Sequence, residues 1–579
     1  MRKKLWIAAA ILSAAVAGWG YARLAPYRIL LPNEPRPPQT LLLSQNWTDE
    51  QRAAFHHTAQ GTRLLPWDWF MALEQPCLSL FSPCGNLADP QYLTRFGFIP
   101  SDELPSNLPI GFARQHNFHD PLRKINYPVV GITCAACHTG ELFYKDHAIR
   151  IEGGPGLVDL ASFQRAVGLA LGMTTKIPGR YGRFEFRVLG ANGTEAQKTA
   201  LRRELDAYLA SGAGEFSYAA QHRIYDNPAG FGRTDALTRI GNQVFAVDLN
   251  VFANFRPANA AVRFPQIWDA PWFTWIQYNA SIADPLVRNI GEALGVRALL
   301  NPADFDNSVD VAALNQLETI VAGASPYTGL ASPRWPAIFP KLDPAKVRAG
   351  EALYGQHCQG CHLPPPHKLA EDYAAREPRY WERTAAGVAF LKVTEINIQR
   401  IGTDPRAAFD FRSRTADSGP LNRGLLTAAE GLDHVTRTIA NDFFDRNKFS
   451  PQQRLAWTGY RTPGAIAVRD RLVYKARPLN GIWAAAPYLH NGSVPSLYHL
   501  LSPHTERPRT FYTGTKRYDP EYCGYETAEF PGGYLYDTAR EGNSNTGHEF
   551  NNGARGNGII GPLLSPGERW ALIEYLKSL

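Results

Sequence analysis

The feature that most narrows what this chain can become is a short motif that occurs twice. "GITCAACHTG" carries Cys134, Cys137 and His138, and "YGQHCQGCHLP" carries Cys358, Cys361 and His362. Cys-x-x-Cys-His is the attachment pattern of c-type haem. At this spacing two thiols can each form a thioether to one vinyl group, and the histidine behind them lies under the iron. A zinc half-site would need further ligands at matching spacing, and neither motif has another cysteine close by. A redox dithiol would not need the histidine. The two motifs therefore predict two covalently bound haem c groups. Cys134, Cys137, Cys358 and Cys361 are the attachment residues, and His138 and His362 are the proximal metal ligands.

The N-terminus fits export. Met1-Arg-Lys-Lys is a basic start, and an apolar run from Leu5 to Ala17 ends in small residues. That is the pattern of a cleaved secretory signal, with an uncleaved anchor in the inner membrane as the alternative. Either way the body of the protein is expected outside the cytoplasm, periplasmic or secreted. An oxidising compartment favours a disulfide between Cys77 and Cys84. Cys523 has no assigned role. The net charge of +7 is spread along the chain, with no basic run after Lys4, which argues against a nucleic-acid partner.

At 579 residues there is chain for several domains. The expected organisation is a signal or anchor over 1–20, a Pro-rich linker over 21–50, an N-terminal haem domain over 51–335 and a C-terminal cytochrome c-like haem domain over 340–579. The expected fold is mainly α with extensive loops, two cytochrome c-like haem domains in all. No strong alternating strand pattern stands out, and "NLPIGFARQHNFHDP" before the first motif reads as loop. A helix is expected from near Asp159, and another over 195–212 with Gly212 at its end. In the second half Asp343 caps a helix leading into the motif. The last helix has Ser565 as N-cap and Pro566 at its first position. Two such helices cross in a cytochrome c domain.

The sixth ligand of each iron separates carriers from enzymes, because an enzyme leaves that position open. The only methionines are Met1, Met71 and Met173, so the second haem has no methionine from its own half. Histidine is the substitute, from His367, His434, His490, His499, His504 and His548. His357 is too close to the attachment site to reach the other face. His490, in "GIWAAAPYLHNGSVPSLYHLL", is the first choice because aromatic residues and proline fix its loop; His548 in "NTGHEFNNG" is the second. For the first haem the candidates are His116, His119, His147, His222 and Met173, none in a comparably rigid setting. An open distal position is therefore expected there.

"APYLHNGSVPSL", together with the two motifs, resembles the dihaem cytochrome c peroxidase superfamily. The similarity is closest to the branch of rubber oxygenases and dihaem fatty-acid oxygenases. "QGTRLLPWDWFMALEQP", "IEGGPGLVDLASF", the aromatic segment 264–295 and "SNTGHEFNNG" extend it over most of residues 58–579. The resemblance implies dioxygen binding at the haem of His138, a second haem held by His362 and His490, and a tryptophan coupling the two. Trp268 is the first choice for that tryptophan among Trp268, Trp272 and Trp275. Rubber oxygenases place a phenylalanine beside the oxygen. Here the stretch after Trp268 offers only Phe273 and "NASIADPLVRN" has no aromatic, a departure that moves the expected substrate from polyisoprene towards an unsaturated fatty acid. Gln277, Asn279 and Arg288 are the polar groups of that segment.

Three functions remain open at this point. One is an oxygenase acting on dioxygen and an unsaturated lipid. Another is a peroxidase fed by a small electron-donor cytochrome. The third is an electron carrier, for which the chain is long.

Overall fold

The computed structural model describes residues 29, 31–77, 83–104, 106–460 and 467–579. The expected signal or anchor over 1–20 lies outside the described residues. Among the described residues no helix is long and apolar enough to cross a membrane.

The stretch expected to be loop before the first motif is instead a hairpin. Strand β2 (Phe112–Asp120) pairs antiparallel with β3 (Ile125–Ile132), with a bulge between Gln115 and Phe118. The turn is built by Asp120, whose carboxylate accepts from the backbone N–H groups of Leu122 and Arg123. Phe112, Phe118, Val129, Val130 and Ile132 turn inward. Arg114, His116 and Asn117 face outward, and this polar run masks the alternation.

From β3 the chain passes through Thr133 into a single helical turn, α2 (Ala135–His138), and straight into β4 (Thr139–Tyr144). The first motif is thus held between two strands. β4 pairs with β5 (His147–Glu152), and β5 pairs in parallel with β1 (Gln39–Leu42). Part of the expected linker is therefore an edge strand. Helix α1 (Asp49–His57) follows it, started by a Thr48–Gln51 capping box.

The second motif has the expected helical setting. Asp343 caps α5 (Pro344–His357), accepting from Ala345 N–H at 2.8 Å, and α6 (Gln359–His362) carries the second cysteine and histidine. Helix α8 (Pro566–Ser578) crosses α5, with Ser565 and Glu568 forming its capping box. The crossing point is Gly350, where a Cβ would stand 2.0 Å from the Ala571 carbonyl oxygen. Between these lie α3 (Leu160–Lys176), capped by Asp159, and α4 (Pro285–Gly295), capped by Asp284. Strand β7 (Val473–Ala476) pairs with β6 (Thr394–Asn397), and α7 (Ala428–Arg446) packs on α4. The helix expected over 195–212 runs on from Glu195 to Gln221 through Gly212. Tyr218, stacked on Phe255 at 5.6 Å, fastens the extra turns.

The expectation of a mainly α fold with two haem domains is corrected by this architecture. The chain is 39% helix and 17% strand, the strand divided among many small sheets. Two haem domains are not shown either, because the halves share one core. Trp47, Phe55 and Trp268 pack in the same cluster as Tyr354, Trp483 and Leu572. Phe143 N–H donates to the Lys516 carbonyl, and Arg263 N–H to that of His490. The reason for the miss is that strands buried in both halves' shared core need no strict polar alternation.

Candidate functional site

One cavity of about 650 Å³ is lined by both motifs. Cys134, Cys137 and His138 form part of one wall; Cys358, Cys361 and His362 form part of another. Both histidines are oriented alike. His138 Nδ1 donates to the Pro265 carbonyl at 2.9 Å, and His362 Nδ1 donates to the Arg477 carbonyl at 2.9 Å. A backbone acceptor fixes the tautomer and leaves each Nε2 with a free lone pair. Burial pushes the His138 imidazole down to about 4 and lowers His362 as well, so both are neutral, as a metal ligand must be. Burial raises the thiols: Cys134 to about 11, Cys358 to about 12, and Cys137 upward too.

One side chain links the segments that carry the two proximal carbonyls. Arg477 donates from Nη1 to the Gln266 carbonyl at 2.5 Å and from Nη2 to that of Trp268 at 2.6 Å. Trp268 itself is fully buried behind the cavity wall, its Nε1–H donating to the Asn480 carbonyl at 3.0 Å. Phe273 also lies behind the wall, below Arg477.

Among the other histidines, only His357, His490 and His548 line this cavity. His548 stands beside His362, ring centres 6.0 Å apart at 67°, and its Nδ1 is buried without a partner. His490 occupies the packed loop that its sequence suggests, following a cis Ala486–Pro487 bond. Its ring stacks on Tyr474 at 4.1 Å and approaches Tyr278 at 6.2 Å; no ring contact joins it to His362 among the described residues. Burial pushes both His490 and His548 down to about 3.

The candidates beside the first motif lie elsewhere. His119 pairs with Asp306 at 2.7 Å, His222 stacks on Tyr218, and Met173 meets Arg180. Neither these nor His116 and His147 line the cavity. What faces the first motif is α4. Arg288 and Glu292 both reach it electrostatically. Gln277 Nε2 donates to Glu292 at 2.6 Å, while Arg288 is paired with Glu318. Burial raises the Glu292 carboxyl above its usual range. Asn279 is buried outside this cavity, both side-chain polar atoms without a partner. Glu292, Pro265 and Arg477 carry no motif that would have marked them. The cysteines Cys77 and Cys84 form a disulfide, Cα atoms 6.3 Å apart, and Cys523 is a buried free thiol.

Comparison with known proteins bears on this geometry. The chain is 41% identical to the uncharacterized protein y4iJ of Sinorhizobium fredii, over the whole of both chains. The chain belongs to the y4iJ family. A second protein of that organism, the uncharacterized protein y4iM, is 27% identical over 54% of this chain and 63% of its own length. Residues 473–512 of this y4iJ family member match the family model "RoxA-like, cytochrome c-like". That segment contains Arg477, Asn480 and His490, and so includes the carbonyl that steadies His362. The match gives the chain a RoxA-like, cytochrome c-like segment, which supports covalent haem c and a haem oxidoreductase outside the cytoplasm.

The residues fit such a group. Each motif offers two thiols and an imidazole to the same cavity. His362 and His548 bring two imidazoles together at the second motif, ring centres 6.0 Å apart, so that site offers two nitrogen ligands.

Proposed function

We propose that the protein is a dihaem c-type oxygenase that adds dioxygen to an unsaturated lipid, with a fatty acid favoured over polyisoprene. Cys134, Cys137 and His138 hold one haem c. Cys358, Cys361 and His362 would hold the second, with His548 as its further imidazole ligand; His490, the choice from sequence, is the alternative. The observation that carries the reading is the inequality of the two sites. An imidazole faces His362, whereas none of the distal candidates near the first motif reaches the cavity.

Haem supplies the redox chemistry on dioxygen when bound. The chain's own residues orient and enclose. The Pro265 carbonyl keeps the proton on His138 Nδ1. Ile276, Leu314, Leu317 and Val321 line the cavity with apolar surface suited to a hydrocarbon chain. Gln277 and Arg288 are held by Glu292 and Glu318, so their polar heads are positioned rather than loose. Trp268, pinned between Arg477 and Asn480, gives continuous packing from one proximal carbonyl to the other and is the residue we assign to coupling. Residues 1–20 direct export to the periplasm or anchor the chain there, and a small cytochrome is the electron donor where one is needed.

The test is oxygen uptake by the purified haem protein with oleate and no added reductant, alongside its optical and electron paramagnetic resonance spectra. Uptake with one high-spin and one low-spin haem is expected. Two low-spin haems and no uptake would reject the reading.

A peroxidase is the second reading, favoured by one observation. Glu292 faces the first motif with a carboxyl whose pKa burial raises, the direction that suits proton transfer to a peroxide bond. Glu292→Gln then lowers peroxide turnover by about 10²–10⁴-fold. An oxygenase without that proton step keeps its oxygen uptake in the same variant.

A further inference from the structure

A second cluster of imidazoles lies outside the cavity, at the end of helix α1. His56 and His57 are its last two residues, and both rings turn towards Glu103. His56 Nδ1 lies 2.9 Å from Glu103 Oε2, and His57 Nε2 lies 3.1 Å from the same oxygen. The far nitrogens are also engaged. His56 Nε2 meets Glu152 Oε2 at 2.8 Å, and His57 Nδ1 meets the Phe112 carbonyl at 2.8 Å. Ser101 Oγ is 3.3 Å from His57 Nε2.

Hydrogen-bond accounting makes this arrangement informative. A neutral imidazole has one donor and one acceptor nitrogen. The Phe112 carbonyl and the Glu152 carboxylate are acceptors, so they take the proton-bearing nitrogen of each ring. Two lone pairs then converge on a carboxylate, which also only accepts. Something positive must stand among the three: a second proton on His56 would serve that ring alone, with the Ser101 hydroxyl left to serve His57, whereas one divalent cation serves both rings while they stay neutral.

The outer partners are those of a metal site as well. A ligating histidine commonly donates its other N–H to a carboxylate or a backbone carbonyl, which fixes the ring. Here one ring has each kind. Glu152 is itself fixed: Gln45 exchanges two hydrogen bonds of 2.9 Å with its main chain. Its Oε1 is buried and has no partner, so nothing else claims this carboxylate. The His56 ring is fully buried and His57 nearly so, while Glu103 is 30% exposed, which opens one side to water.

The geometry points to a zinc-class divalent cation site formed by His56 Nδ1, His57 Nε2 and the Glu103 carboxylate, with Glu152 and the Phe112 carbonyl as supports. Two imidazoles, one carboxylate and one open position make a tetrahedral set for Zn²⁺. The three ligand atoms already lie within 4.8 Å of one another. The charges close, since one dication balances Glu103 and Glu152 with both histidines neutral. The site staples helix α1 to the 101–103 loop and, through its supports, to β2 and β5. It also lies against the first motif: Thr133, which precedes Cys134, donates from Oγ1 to the His56 carbonyl at 3.0 Å. The inference does not depend on the reaction assigned to the cavity.

The experiment uses the full haem-loaded protein, stripped with EDTA, freed of chelator and titrated with zinc chloride by calorimetry, with bound zinc counted by emission spectroscopy. One zinc per chain is expected, and zinc-edge absorption should show nitrogen and oxygen neighbours without sulfur. Glu103→Gln and His57→Gln should each weaken binding at least 100-fold, taking about the upper limit of a support residue as the lower limit for a ligand. Glu152→Gln should keep one site while raising Kd about 10–100-fold. His504→Gln, which removes a histidine paired with Glu549 elsewhere, should change nothing. Variants are compared only when their haem absorbance matches the parent, so misfolding is not read as lost affinity. No zinc in the parent, sulfur in its coordination shell, or unchanged affinity in folded Glu103→Gln and His57→Gln would overturn the assignment.

Discussion

Arg477 donates from Nη2 to the carbonyl oxygen of Trp268 at 2.6 Å, while its own carbonyl accepts from His362. The same guanidinium reaches Gln266, the neighbour of the residue that steadies His138. A single half-buried side chain thus ties together the supports of both proximal histidines. Arg477→Met strips two backbone acceptors of a charged donor and should cost about 2–5 kcal/mol of stability by denaturant unfolding. Both haem potentials should shift in redox titration. A shift confined to the haem of His362 would refute the tie.

The distal side of the second haem gives a sharper contrast. His548→Ala should convert one low-spin haem to high spin in electron paramagnetic resonance. His490→Ala should leave the spin states alone, because that ring packs on Tyr474 rather than facing His362. The reverse pattern would return the ligand role to His490.

The helix crossing can be tested with two glycines of one helix. Gly350→Ala drives a methyl group to within 2.0 Å of the Ala571 carbonyl oxygen and should destabilise by about 1–3 kcal/mol. Gly355→Ala meets nothing within 4 Å, and should be neutral or stabilise by up to about 1 kcal/mol. Thermal unfolding of the two variants measures the difference.

Acid should loosen the junction between the two halves. Glu141 is fully buried; burial works to raise its pKa, but Lys516, Arg36 and Arg150 outweigh it and hold the carboxylate below its usual range. A depressed folded pKa gives stability that is present above the unfolded value of 4.5 and is lost as pH falls through the folded value. Glu141→Gln should therefore lower stability at neutral pH and flatten its decline in acid, as read from unfolding midpoints across pH 3–7.

What was legible in the sequence was local chemistry. The motifs, the Asp343–Pro344 start of α5 and the Ser565–Pro566 start of α8 are each written within a few residues, because capping and thioether spacing are short-range. The hairpin β2–β3 was hidden by "RQHNFHD", whose exposed polar residues break the alternation. His548 was legible only as the second choice behind His490. It sits among polar neighbours in a left-handed backbone conformation, φ 49°, next to Gly547, whose absent side chain lets the loop press on Gly402. Only that tertiary contact brings its ring to His362. Pro265 and Arg477 steady the two histidines through main-chain oxygens, which any residue type could present, so no residue pattern marks that role.

The spans between each histidine and its carbonyl bear on how the rings are set. Pro265 lies 127 residues beyond His138, and Arg477 lies 115 beyond His362. Neither imidazole can be set by its own motif, so the orientation of each ring is a product of tertiary closure, reached only when chain more than a hundred residues away has come into place.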